Sequence, residues 1–136
     1  MDKSKIIQTR IGKAWLDANN ILWIQILPQA NITLTDAEES IQASQLLLQG
    51  IEYFGILLDI RKIKFINYQA RQYYSLLSTS RSSRSLAIAI LVGSPVSQII
   101  GSFFIGLNRP QKPIKLFTHG FEAIKWLKNQ LSKGGK

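Results

Sequence analysis

Gly55-Ile-Leu-Leu-Asp-Ile-Arg-Lys-Ile-Lys-Phe-Ile-Asn67 holds a strand, a link and a helix start in one unbroken stretch. Its first half, Gly55 to Ile60, shows no alternation of apolar and polar residues. A strand covered on both faces reads this way, so the segment is expected at the centre of a sheet clothed on two sides. Asp59 falls at the C-terminal end of that strand, where ligand crevices of parallel α/β sheets open. The same carboxylate would equally serve by hydrogen-bonding the turn that follows. Arg61 to Ile66 forms a basic, partly apolar link, and Asn67 has the side chain of a helix N-cap. Beyond it Ala70, Tyr73, Tyr74 and Leu77 recur at i, i+3, i+4 and i+7, giving a helix one apolar face.

The same alternation of strand and helix extends in both directions. Upstream, Arg10–Leu16 and Ile21–Leu27 are rich in β-branched and aromatic residues and flank Asp17-Ala-Asn-Asn20, whose asparagines tolerate left-handed turns. This predicts a β-hairpin. Thr35-Asp-Ala-Glu38 reads as a T-x-x-E capping box, opening a helix with Ala37, Ile41, Leu47 and Leu48 that ends near Gly50 at the C′ position. Downstream, Ser78 to Ser85 is a Ser/Arg tract too polar for core. Leu86–Val92 is a second continuous apolar run. Ser94-Pro95 then starts a helix carrying Val96, Ile100, Phe103, Phe104 and Leu107, which Asn108-Arg-Pro110 stops. Gly101 and Gly106 are read as sites of close helix packing. Ile114–Thr118 is a short strand, and Ala123, Ile124, Leu127 and Leu131 mark a last amphipathic helix before a frayed tail, 132–136. The expected order is β-β-α-β-α-β-α-β-α: an α/β domain spanning 1–136, with a mixed, mainly parallel sheet.

Bulk properties exclude more than they assign. With 136 residues and 46% hydrophobic content the chain suits one globular domain. The absence of cysteine excludes disulfides, thiolate nucleophiles and sulfur-bound metal, and suits a reducing, cytoplasmic setting. From Leu86 to Leu107 no residue is charged, a length that would span a bilayer as one helix. Gly93-Ser-Pro95 interrupts it, so a strand, a turn and a helix are expected, not a membrane span. No P-loop, G-x-G-x-x-G or G-x-S-x-G is present, the acidic residues form no evident acid/base pair, and the single histidine, His119, offers no metal constellation. Neither catalysis nor a cofactor nor a metal is expected. The net charge of +9 favours anionic partners. Arg81 and Arg84 are the expected anion contacts, and with Arg61, Lys62, Lys64 and Arg71 they would make a basic face. No interleaved stacking aromatics accompany them, so nucleic acid is not the expected partner.

The stretch from Gly55 to Asn67, together with the order of elements, resembles the STAS or SpoIIAA-like domains of bacterial anti-sigma-factor antagonists. The Thr-Leu-Thr-Asp36 run, the Gly101–Pro110 segment and the approach to Trp126-Leu127 are similar to small stand-alone STAS-like proteins. The resemblance implies a regulatory module that binds a protein partner at the end of the strand and the start of the next helix: Asp59, Asn67, Tyr68, Gln69, Ala70 and Arg71. In the antagonists a kinase phosphorylates a serine of an Asp-Ser-Ser-Gly-like tetrad there. The matching residues are Asn67, Tyr68, Gln69 and Ala70, and Gln69 at the acceptor position has no hydroxyl to carry phosphate. The usual phosphoswitch is therefore expected to be absent. STAS domains also resemble the lipid-binding CRAL-TRIO fold, which implies an alternative: an apolar pocket lined by Tyr74, Phe103 and Phe104, holding a lipid or nucleotide. The helix Val96–Leu107, apolar on more than one face, offers a route to a homodimer.

Overall fold

The computed structural model describes residues 5–78, 85–108 and 112–134. The hairpin expected around Asp17–Asn20 turns where the sequence places it. Strands β2 (Gly12–Leu16) and β3 (Ile21–Ile26) pair antiparallel, Trp15 opposite Trp23. Asn20 takes a left-handed φ of 61°. Asp17 Oδ1 accepts from the amides of Asn19 (2.8 Å) and Ile21 (3.1 Å) and closes the turn.

The strand expected to begin at Arg10 is instead preceded by another. Ile7–Thr9 forms β1, folded back on β2 with Thr9 opposite Gly12, so Arg10 sits in a tight turn. That turn has a consequence for helix α1 (Leu34–Leu47). The capping box expected at Thr35 and Glu38 lies two residues earlier, at Thr33 and Asp36. Asp36 N donates to Thr33 Oγ1 (3.3 Å) and Thr33 N to Asp36 Oδ2 (2.9 Å). Arg10 reaches over from the turn and grips the Asp36 carboxylate in a fork, Nε to Oδ1 at 2.7 Å and Nη2 to Oδ2. This partner lies 26 positions away and selects the earlier box; Thr35 and Glu38 are left exposed. Gly50 has a φ of +79°, two residues beyond the C-cap Leu48 instead of at C′.

The remaining strands β5 (Phe54–Asp59), β7 (Ser85–Leu91) and β8 (Ile114–Phe117) add in parallel, giving one six-stranded sheet ordered β1-β2-β3-β5-β7-β8. Two short segments not foreseen, β4 (Asn31–Ile32) and β6 (Phe65–Ile66), pair in parallel beside it. Helix α2 (Tyr68–Ser78) joins β5 to β7, and α3 (Pro95–Asn108) joins β7 to β8. Steady progression of the parallel strands in one direction, with the connecting helices sharing one face, is what crossovers of a single hand produce. Ala37, Ala70 and Ile100 from those three helices pack on Ile90, Val92 and Ile60. Helix α4 (Gly120–Gly134) covers the other face, its Ala123 and Leu127 against Leu57, Ala87, Ala89 and Leu91. The central strand is thus buried on both sides, as its lack of alternation implies. α4 runs to Gly134, well into the stretch expected to fray; its last turn lies against Leu86. Among the described residues no helix is long and apolar enough to cross a membrane. The apolar run from Leu86 divides into β7 and α3 at Gly93-Ser94.

Candidate functional site

Asp59 closes β5 at 6% exposure, and its partner is in the next turn. Arg61 donates to it three times: its backbone N (3.2 Å) and Nε (3.0 Å) to Oδ1, and Nη2 to Oδ2 at 2.8 Å. The carboxylate braces the link and raises the Arg61 guanidinium's proton affinity further. With Lys13, Gln25, Leu27, Pro28 and Lys62, this pair lines an open groove of about 450 Å³ at the C-terminal ends of β3 and β5.

Asn67 is the N-cap of α2, its Oδ1 accepting from Ala70 N at 2.9 Å. The residues it launches divide by face. Tyr68 is 63% exposed, takes a hydrogen bond from Gln72 Nε2 (2.8 Å) and has the Arg71 guanidinium 5.9 Å from its ring centre. Gln69 is exposed too. Ala70, expected among the partner contacts, is wholly buried against the sheet, because position i+3 from the cap faces inward. Arg71 Nε is buried without a hydrogen-bond partner. Arg81 and Arg84, the expected anion contacts, lie outside the described residues. His119 is exposed and its carbonyl accepts from Ala123 N at 3.2 Å, so it opens α4. Among the described residues no group of acidic or histidine side chains is arranged to hold a metal.

Two of the three aromatics expected at an apolar pocket, Tyr74 and Phe104, line a hollow. Between the sheet and α1, α2 and α3 lies a hollow of about 180 Å³, floored by Ile24, Ile56, Leu58, Ile88, Ile90 and Ile114. Tyr74 and Phe104 line it and pack edge to face at 5.4 Å. Phe103 does not line it; it backs Phe104, also at 5.4 Å. Burial pushes the Tyr74 phenol up to about 12, and its hydroxyl is hydrogen-bonded to Ser40. The polar groups in the wall, Ser40, Ser85 and Lys112, escaped the sequence reading. Ser40 sits in an ordinary helix, and Lys112 precedes a strand with no motif around it.

Residues 14–131 match the family of a domain of unknown function, DUF7793. No curated protein matches the chain. An uncharacterised protein of the DUF3478 family from Shewanella loihica PV-4, with a SpoIIAA-like fold, superposes at a TM-score of 0.63 and 16% identity over 90% of each chain. The fold is therefore SpoIIAA-like, as the resemblance implied. A protein of unknown function from Arthrobacter sp. FB24 is 27% identical over 89% of this chain and 95% of its own, with a TM-score of 0.33.

Proposed function

We propose, from the premise that this chain belongs to the DUF7793 family of unknown function, that it is a non-enzymatic binding module whose hollow between sheet and helices takes a small apolar ligand. The observation that carries this is the hollow itself. Protein interiors close up to leave few voids larger than a water molecule. Here the walls are overwhelmingly isoleucine, a poor host for ordered water, which needs two to four polar partners. An apolar occupant would gain dispersion contacts with those walls. Its volume, about 180 Å³, is slightly above that of the engineered apolar cavity of about 150 Å³ known to bind benzene.

Ile88→Phe tests the reading, since Ile88 lies on the floor between Ile56 and Ile114. The filled variant should fold with equal or higher thermal stability and lose binding of small apolar probes that the wild type binds in calorimetric titration. A wild type that binds none of them would sink the proposal.

A second reading, a regulatory module that docks a protein, is supported by the exposed Tyr68 and the unsatisfied Arg71 Nε at the start of α2. Gln69 at the position of the antagonists' phosphoacceptor means that such docking would run without their phosphoswitch. Arg71→Glu with Tyr68→Ala should release the partner while leaving the circular dichroism spectrum intact. Retained binding would count against it. The exposed Val96 and Ile99 of α3 support self-association. Light scattering should then find a dimer that Ile99→Glu converts to a monomer.

A further inference from the structure

At one end of the hollow the apolar wall gives way to a basic side chain. Lys112 enters the cavity wall just before β8, and its Nζ donates to Ser85 Oγ at 2.6 Å. Ser85 is itself 7% exposed. Among the described residues that line the hollow, Lys112 is the only basic one and none is acidic. Ser40 and Tyr74, the other hydroxyls in the wall, are hydrogen-bonded to each other.

The position of Ser85 is the product of an irregularity. The pairing of β5 with β7 runs Phe54↔Ser85 and then Ile56↔Ile88, so β7 carries one residue more than its neighbour. In a regular strand Ser85 and Ile88 would face opposite sides. The extra residue brings both to the hollow, while the two between them turn the other way: Ala87 packs into the α4 cluster and Leu86 lies against Gly134 of α4. Bulges re-aim side chains and gather beside functional sites. Lys112 is held from the other side, because the following Pro113 restricts its backbone and accepts the Ile88 amide at 3.0 Å.

We infer that the ligand of this hollow is an amphiphile with a carboxylate head, seated on Lys112 Nζ and Ser85 Oγ, its apolar part lying along β7 toward Ile90. The inference rests on the binding reading above and names its chemical class. From Ser85 to Ile90 the strand advances about 16 Å at roughly 3.3 Å per residue, and the lining residues Ser85, Ile88 and Ile90 are strung along it. Burial lowers the Lys112 pKa, and a carboxylate would give back the electrostatic support that burial removes.

Octanoate and octanol, equal in chain length and different in head, are the probes, titrated calorimetrically below their aggregation limits. Wild type should bind octanoate at least about tenfold more tightly than octanol, the scale of one charge-assisted hydrogen bond. Lys112→Met should erase that preference while leaving octanol affinity within about twofold, and its thermal midpoint should show that it is folded. Octanoate affinity of the wild type should fall as alkaline pH deprotonates Lys112, and Lys112→Met should lack that fall. Equal binding of the two probes by wild type, or undiminished octanoate binding by Lys112→Met, would overturn the carboxylate assignment and leave the cavity reading standing. Binding of neither probe would overturn both.

Discussion

Asp36 shows how much one side chain can organise. It is 2% exposed, caps α1 and receives Arg10 from the β1–β2 turn, so it ties the edge of the sheet to the first helix. The Arg10 hydrogen bonds, helped by Thr33, hold its carboxyl at about 2. A depressed folded-state pKa stabilises above the ordinary carboxylate range, and that contribution is lost as pH falls through the folded value. Arg10→Ala removes the fork from the buried Asp36 carboxylate and should lower the urea midpoint at neutral pH. The cost should shrink in acid, where the carboxyl is protonated in either protein. Tyr74 works with the opposite sign. Its pKa is raised to about 12, so its contribution is present below the ordinary phenol range and lost as pH rises through 12. Absorbance titration should find a late phenolate component near that pH, and Tyr74→Phe should remove it.

At the scale of elements, local signals fared well where neighbours in sequence supply the partners. Asn67 and Ser94 open the helices they were expected to open; Ser97 N donates to Ser94 Oγ at 3.1 Å. Asn67→Ala should cost about 1 kcal/mol, read as a lower urea midpoint with an unchanged slope. The packing role assigned to Gly101 and Gly106 divides. A Cβ on Gly101 would lie 2.8 Å from Leu116 Cδ2, so α3 does approach the sheet there, whereas Gly106 faces open space. Gly12 gave no sequence signal, yet a Cβ there would stand 2.0 Å from the Gln25 carbonyl oxygen. Backbone cannot give way as a side chain does. Gly12→Ala should force β2 from β3 and destabilise by roughly 3 kcal/mol or more in the same assay.

For the whole molecule, the hollow couples binding to stability. A ligand present at about a hundred times its dissociation constant adds about 2.7 kcal/mol. At roughly 3 °C per kcal/mol for a chain of this size, saturating octanoate should raise the thermal midpoint by about 8 °C. Ile88→Phe should show no such rise. The sequence by itself determined the α/β class, the central strand ending at Asp59, the start of α2 at Asn67 and the absence of cysteine chemistry. Those features rest on periodicity, composition and caps, which are local. The tertiary structure alone decided that Arg10 selects the Thr33 cap, that Ala70 turns inward, and that Ser85 and Lys112 meet across 27 positions at the edge of an apolar hollow. Each of these depends on which strands become neighbours and in what register. A single residue added to β7 turns a side chain from one face of the sheet to the other, and no pattern within that strand announces it.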